Sequence, residues 1–197
     1  GGSLQLQNIG PLMISVPFVD IPSATAWGDV DGDGDLDLAT IGIAQDSGSP
    51  QARLYLNQNG QLPDLPVWVD LVSSSPRSLA WGDMDGDGDL DLAIGSALDL
   101  LFGNAGQELV YLNQNGQLAT TPAWTSTETD DTRSLAWADV DADGDLDLAV
   151  GNAGQELIYL NEQGQLTTTP AWRSTDLDDT WSVAWGDVDG DGDLDLA

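Results

Sequence analysis

Short apolar runs alternate with polar turns along the chain, and the same order of runs recurs several times. The clearest copy reads SLAWADV (134–140), an acidic loop, LDLAV (146–150), ELIYLNEQGQL (156–166) and TPAWRST (169–175). Runs of about four to eight residues rich in β-branched and aromatic side chains, bounded by Gly, Asn and Asp, are typical of β-strands. The pattern therefore predicts four short strands per repeat, and it shows no helical periodicity.

An Ala-Trp pair marks the first strand of each repeat, at Trp27, Trp81, Trp137 and Trp185. Such regular recurrence predicts a repeat protein. We place three complete repeats at 21–73, 74–128 and 129–176, and we attribute their unequal lengths to insertions after the second strand. Segments 103–125 and 151–173 are nearly identical, which leaves natural amplification and design both open.

Two half-repeats flank these units. Residues 177–197 contain the first two strands of a fourth unit, whereas 1–20 contain a third and fourth strand, with 13–19 as the last. A propeller closes its ring when strands from both ends of the chain complete one blade. We therefore expect an all-β propeller of four-stranded antiparallel blades, with about four blade equivalents per chain. We favour a homodimer that exchanges half-blades to make eight; a closed four-blade ring is the alternative.

The connection between the first and second strands always reads Asp-x-Asp-x-Asp-Gly-x-x-Asp. Five carboxylates within this loop repel one another unless a cation binds them, and hard oxygen ligands select calcium or magnesium. The Gly at position six permits a sharp turn, so positions one, three, five and nine are expected to offer carboxylates and position seven its backbone carbonyl. The candidate ligands are Asp29, Asp31, Asp33, Asp35, Asp37, Asp83, Asp85, Asp87, Asp89, Asp91, Asp139, Asp141, Asp143, Asp145, Asp147, Asp187, Asp189, Asp191, Asp193 and Asp195.

Calcium suits these loops better than magnesium, because its shell is larger and looser than magnesium's rigid octahedron. We therefore predict Ca²⁺, about four ions per chain. An EF-hand is unlike this pattern, since Thr40, Ile94 and Val150 replace its bidentate Glu at position twelve and the flanks are strands. The alternative is an acidic surface turn without a specific ion, which four copies in one register disfavour.

The segment DVDGDGDLDLA, preceded by a small-aromatic-small strand, resembles the FG-GAP/VCBS repeats of integrin-α-like β-propellers. The resemblance covers nearly the whole chain and includes Phe102-Gly103, although the Gly-Ala-Pro element is not matched. It implies that the loop lies between blade strands one and two and binds calcium. Ala142 replaces the usual Gly at position four of the third loop, which is not a ligand position, so we expect that site to survive.

The net charge of the chain restricts the classes of partner that it can bind. It carries 34 acidic and 4 basic residues, with a formal net charge of −30. Nucleic acid and anionic membranes are excluded as partners because both require clustered basic residues, and no apolar run approaches the roughly 18 residues of a membrane span. Without His, Cys or Lys the chain has few catalytic groups, so we expect no enzymatic activity. Eight tryptophans argue against disorder.

The recurring aromatic residues are expected to pack between blades, with the tyrosine hydroxyls of strand three at a wet edge. Trp181 lies outside the repeat and is expected to be the most exposed tryptophan. The sequence thus predicts a calcium-braced structural or interaction scaffold. The alternatives are a carbohydrate-binding propeller that holds a glycan between blades, and a supporting module of a larger secreted enzyme or adhesin with a protein ligand.

Secretion or display at the cell surface is the expected location of such a module. The N-terminus lacks the basic and apolar regions of a signal peptide. Because Gly1-Gly2-Ser3 looks like a cloning scar, we expect a native signal to have been removed. The absence of cysteine does not identify the compartment.

Overall fold

The computed structural model describes residues 19–44, 48–71, 75–99 and 104–197. The regular elements of these residues are all β-strands. No helix that is long and apolar enough to cross a bilayer occurs in the described part of the chain. Three successive sheets each contain a four-stranded antiparallel path, and a two-stranded hairpin follows them. The predicted all-β fold of four-stranded blades is therefore confirmed, and the described residues form successive blades rather than a closed ring.

The strands follow one another across each blade in chain order. The first blade contains β1 (Val19–Gly28), β2 (Asp37–Ala44), β3 (Pro50–Tyr55) and β4 (Trp68–Val69). The second contains β5 (Pro76–Gly82), β6 (Asp91–Ser96), a small hairpin of β7 (Leu98–Asp99) and β8 (Asn104–Ala105), then β9 (Leu109–Tyr111) and β10 (Trp124–Thr125). The third contains β11 (Thr132–Ala138), β12 (Asp147–Gly154), β13 (Leu157–Tyr159) and β14 (Trp172–Arg173). The chain ends with β15 (Asp178–Asp179), which pairs with β12, and the hairpin of β16 (Trp185–Gly186) and β17 (Asp195–Leu196).

The first strand begins earlier than the sequence predicts. Val19 pairs with Ala44 and Pro22 pairs with Gly42, so residues 19–20 belong to the first blade rather than to a preceding half-blade. Pro22 has no N–H to donate, and the register shifts on both sides of it, as at a β-bulge. The rest of the predicted half-blade, 1–18, lies outside the described residues, as does the Phe-Gly pair at 102–103.

The apolar core lies between neighbouring blades. One cluster joins Leu54 of the first blade to Leu92 and Tyr111 of the second, and another joins Val110 of the second to Leu148 of the third. Each blade therefore depends on its neighbour to exclude water from its central strands.

The tyrosines of strand three are buried in this core, contrary to the prediction that their hydroxyls reach a wet edge. Tyr55, Tyr111 and Tyr159 have no exposed surface. Tyr111 Oη donates to Asp70 Oδ1 of the preceding blade at 2.8 Å. The prediction was wrong because the sequence does not show how completely one blade covers the next.

The tryptophans of strand four connect each blade to the one that follows. Trp68 lies edge-on to Tyr111, with 5.0 Å between ring centroids, and its Nε1 donates to Ala119 O at 2.9 Å. Trp124 lies 5.0 Å from Tyr159 in the same arrangement. The predicted packing role is confirmed for Trp68 and Trp124, whereas their counterpart in the third blade, Trp172, is 47% exposed.

The tryptophans of strand one connect each blade to the one before it. A Cβ built on Gly28 would lie 3.1 Å from Trp81 Cδ1, and one built on Gly82 would lie 2.7 Å from Trp137 Cγ. Gly28 and Gly82 therefore leave the space that the indole rings occupy, and we call a glycine at this position the seat of the indole. Trp181 is 75% exposed, the largest value among the eight tryptophans, as the sequence predicts.

Candidate metal centres

Each acidic loop closes a hairpin between the first two strands of its unit. The closing pairs are Gly28 with Asp37, Gly82 with Asp91, Ala138 with Asp147 and Gly186 with Asp195. Within each loop the carboxylate at position one accepts a hydrogen bond from the N–H of the position-six glycine, as in Gly34 N to Asp29 Oδ2 at 3.0 Å. That glycine has φ between 94° and 102° in the four loops, so its conformation favours glycine over any residue with a side chain.

The next two aspartates turn the backbone around the loop. In the first loop Asp31 Oδ1 accepts from Asp33 N at 3.2 Å, and Asp33 Oδ1 accepts from Asp35 N at 2.8 Å. The other three loops repeat both bonds. These turns place the carboxylates of one short segment around a common space.

Three carboxylate oxygens of each loop lie within 4.8 Å of one another. The aspartates at positions one and three belong to all four clusters. Position five completes the first cluster, whereas position nine completes the other three. The clusters are Asp29, Asp31 and Asp33; Asp83, Asp85 and Asp91; Asp139, Asp141 and Asp147; and Asp187, Asp189 and Asp195.

In the three complete blades the carboxylate at position nine is buried and braces two parts of its blade, whereas Asp195 in the last hairpin is exposed. Asp91 has no exposed surface and accepts from Met84 N at 2.9 Å and from Asn113 N at 2.8 Å. Asp37 and Asp147 accept the equivalent pair of bonds. Burial raises the pKa of Asp91 to about 6, although both backbone bonds oppose the rise. A cation beside this group would favour its charged form.

The side chain at position seven points to its own blade's turn between strands three and four. Asp35 Oδ2 accepts from Asn59 N at 2.9 Å, and Asp89 Oδ2 accepts from Asn115 N at 2.7 Å. Asp145 makes the same contact with Gln163 N at 2.7 Å. Because these carboxylates are absent from the clusters, only the backbone carbonyl of position seven stays a predicted ligand.

Two observations indicate that the clusters fit a cation. Asp29 Oδ1 and Asp83 Oδ1 are buried and have no hydrogen-bond donor, which is costly for a carboxylate oxygen unless another positive group contacts it. The ion pairs of the arginines do not supply this positive charge, because their acidic partners lie outside the loops. These pairs join Arg77, Arg133 and Arg173 to Asp131, Asp179 and Glu128. The donor set of hard oxygens matches calcium.

The third loop keeps this architecture despite Ala142. Gly144 N donates to Asp139 Oδ2 at 3.1 Å, as in the other loops, and the three-carboxylate cluster is present. However, Ala142 adopts φ of 62°, in the region that its glycine counterparts occupy at 73° to 80°. The sequence predicts that the site survives, but not that the alanine is strained.

Residues outside the loops also contact them, and the sequence did not indicate this role. Asn113 and Asn161, in the turns of the second and third blades, donate through Nδ2 to Val30 O and Met84 O in the loops of the preceding blades. The available signal was the repetition of Asn at this position, one residue before Gln or Glu, in every complete unit.

Comparison with known proteins identifies the repeat. The family model described as an FG-GAP-like repeat matches residues 29–94, 96–150 and 139–197. These three segments together include all four acidic loops and nearly all the described strands. No curated protein matches the chain.

Proposed function

Because the chain belongs to the family of FG-GAP-like repeats, we propose that it is a non-enzymatic β-propeller scaffold that binds calcium in its four acidic loops. The observation that carries the proposal is the buried, donor-free oxygen of Asp29 and Asp83 within clusters of three carboxylates. Calcium would be held by the carboxylates at positions one, three, five and nine and by the carbonyl at position seven. It would supply the positive charge that offsets their repulsion.

The chain's own residues prepare each loop for the ion. The position-six glycine fixes the turn, the aspartates at positions three and five wrap the backbone, and position nine fastens the loop to its blade. Because a ligand that binds only the folded state stabilises it by mass action, a tenfold excess over Kd contributes about 1.4 kcal/mol per site. Calcium would thus determine whether the blades remain assembled.

Secretion or surface display belongs to the same proposal. Calcium sites of extracellular modules function with affinities of about 10⁻⁴ to 10⁻³ M, which suits exposed loops without a bidentate Glu at position twelve. FG-GAP-like repeats are typical of extracellular proteins, which agrees with this location.

Thermal unfolding tests the calcium proposal. We expect the melting temperature to rise strongly from excess chelator to millimolar calcium, and to rise less in magnesium. The variant Asp83→Asn/Asp85→Asn should lose one of about four sites by calorimetric titration, whereas Asp64→Asn, an exposed acid outside the loops, should lose none. Equal melting temperatures in chelator and calcium would refute the proposal.

We also propose that two copies of the chain cover each other's open blade faces, which would give a homodimer with exchanged half-blades. Trp27 is 46% exposed, whereas its counterparts Trp81 and Trp137 lie on glycine seats. Gly186, which occupies the seat position of the last hairpin, has no atom within 4 Å of a built Cβ. An unseated indole and an empty seat are complementary surfaces, and a ring of four blades lies at the lower limit of propeller size.

Light scattering in calcium tests this assembly. We expect twice the chain mass of 20.7 kDa for the wild type and a shift toward monomer for Trp27→Ala. Trp181→Ala is the matched control, because Trp181 is exposed but lies outside the repeat positions. A compact monomer at all concentrations would instead indicate closure within one chain.

Trp68, Trp81, Trp124 and Trp137 pack between blades and so do not support the glycan-binding alternative. Exposed surface for a glycan is left on Trp27 and Trp172, which are 46% and 47% exposed.

A further inference from the structure

The turn between strands three and four of one blade lies directly on the acidic loop of the preceding blade. A Cβ built on Gly116 would lie 2.5 Å from Asp31 Cβ and 3.0 Å from Asp31 Cα. A Cβ built on Gly164 would lie 3.1 Å from Asp85 Cα. In both loops the residue touched is the aspartate at position three. The absence of a side chain on each turn glycine is what allows this close approach.

The same turns hold the neighbouring loop residue through a hydrogen bond. Asn113 Nδ2 donates to Val30 O at 2.8 Å, and Asn161 Nδ2 donates to Met84 O at 2.7 Å. Val30 and Met84 occupy position two of their loops and are buried. Position two and the cluster carboxylate at position three are therefore fixed by the following blade.

The first blade shows the same turn without a loop beneath it. Gly60 has φ of 81°, close to the 80° of Gly116 and Gly164, but no atom of the described residues lies within 4 Å of its built Cβ. The amide of Asn57 donates to Leu36 O of its own loop at 3.1 Å, as Asn161 does to Leu146 O, whereas only Asn113 and Asn161 also donate to the loop of another described blade. The turn conformation is thus intrinsic to the repeat, whereas its contact with a loop depends on the neighbour.

We infer that the loops 29–37 and 83–91 are composite sites, in which the turn of the following blade fixes the loop in the conformation that binds the cation. This inference rests on the proposed calcium function. A loop that is ordered before the ion arrives loses less conformational freedom on binding, so the docked turn raises the affinity of the loop it covers. Because such coupling is reciprocal, calcium in one loop also strengthens the attachment of the next blade.

The coupling extends from one blade to the next, because the loop 83–91 contacts two turns. In the loop 83–91, Asp89 accepts from Asn115 N of its own turn, while Asp85 lies beneath Gly164 of the next. Calcium in this loop therefore strengthens contacts on both sides of the second blade. The sites are predicted to fill with positive cooperativity rather than independently.

A calcium titration followed by NMR tests the coupling loop by loop. The amides of Gly34, Gly88, Gly144 and Gly192 each donate to a carboxylate of their own loop, so each reports one site. In Gly116→Ala we expect the Gly34 midpoint to move to about tenfold higher calcium, a change of about 1.4 kcal/mol. The midpoint of Gly192, the reporter farthest along the chain, should move much less.

Gly60→Ala is the matched control, because it places the same residue at the same positive φ with no loop atom nearby. It should leave the Gly34 midpoint within about twofold of the wild type. If Gly116→Ala and Gly60→Ala behave alike, the composite-site inference is overturned. If no glycine reporter titrates even in the wild type, the calcium proposal itself fails, so the two failures are distinguishable.

A second variant keeps the test valid if Gly116→Ala does not fold. Asn113→Ala removes the amide bond to Val30 O without adding atoms, and the backbone bond from Asn113 N to Asp91 is retained. It should also raise the Gly34 midpoint. Gln114→Ala, at the exposed neighbouring position, should not. An unchanged midpoint in Asn113→Ala would equally overturn the inference.

Discussion

The indole ring of Trp137 lies on Gly82 so closely that a single added carbon would overlap it. A Cβ at Gly82 would lie 2.7 Å from Cγ of the indole, 2.8 Å from Cδ1 and 3.0 Å from Cδ2. The contact joins the first strands of the second and third blades, since β5 and β11 carry the two residues. The separation of these blades is therefore set by the absence of a side chain at residue 82.

We expect Gly82→Ala to destabilise the protein by about 1 to 3 kcal/mol, because the indole must move away from its seat. Ala138 occupies this position in the third blade, so we place the effect toward the lower end of that range. Gly186→Ala is the control when both variants are made in the Trp27→Ala background, in which no partner indole can fill the seat at residue 186; its built Cβ meets nothing, so it should change stability by less than about 0.5 kcal/mol. Denaturant unfolding in calcium measures both, and equal effects would refute the seat as the cause.

Ala142→Gly should stabilise the third blade. Ala142 has φ of 62°, a conformation that costs a non-glycine residue about 1 kcal/mol, and its substitution by glycine removes that cost. The reverse change, Gly86→Ala, should destabilise the second blade by a similar amount, because Gly86 has φ of 74° and open space around it. Opposite shifts of the unfolding midpoint are expected; shifts of the same sign would contradict the strain.

Asp91→Asn should destabilise the protein even in excess chelator. Asp91 accepts two backbone N–H groups in a buried position, and an amide leaves one of them facing another donor. The expected loss is about 1 to 3 kcal/mol. Asp195→Asn, at the exposed equivalent position with one such bond, should have a smaller effect. If both variants were neutral in chelator, position nine would serve the ion alone.

Glu108 and Glu156 occupy equivalent positions in their blades. The stability that each contributes to the fold should change with pH in opposite directions. Burial raises the pKa of Glu108, although bonds from Ser126 and Thr132 oppose the rise. Burial also raises the pKa of Glu156, but hydrogen bonds from Ser174 and Thr180 outweigh burial and lower this pKa. The third blade covers Glu108, whereas Glu156 is partly exposed.

Glu108 therefore contributes stability that is present below its unfolded pKa and lost as pH rises through its folded pKa. Glu108→Gln should raise the melting temperature relative to wild type near pH 8, and this gain should shrink toward pH 4. Glu156 contributes stability above its unfolded pKa that is lost as pH falls. Glu156→Gln should thus lower the melting temperature near pH 8, with a smaller deficit near pH 4. Parallel pH profiles for the two variants would contradict this assignment.

Local features were predictable from the sequence because their causes are local. The hairpin around each acidic loop follows from alternating carboxylates and the position-six glycine, and Asn115-Gly116 predicts a turn of positive φ, which the structure shows at 54° and 80°. In each case, residues close in sequence determine the conformation.

The periodicity of the tryptophans predicted that they pack between blades, but the partners of individual contacts between blades could not be predicted, because these contacts join residues far apart in sequence. Nothing in the turn around Gly116 indicates that it touches Asp31, and nothing near Tyr111 shows that Asp70 accepts a hydrogen bond from its hydroxyl. Likewise, Trp27 and Trp81 lie in the same local sequence pattern. Among the described residues, however, Trp81 packs against Gly28 of the preceding blade, whereas Trp27 is exposed. Their environments depend on the order of the blades and not on the repeat itself.

The pairing of Trp81 with Gly28, and of Trp137 with Gly82, has a consequence for how such a chain can lengthen. The second repeat carries an indole, Trp81, for the unit before it and a glycine seat, Gly82, for the unit after it, at adjacent positions of one strand, whereas the third repeat has Ala138 after Trp137. A duplicated segment therefore arrives with both halves of its own joint already matched. Gene duplication alone can add a blade, without any new complementary surface having to evolve.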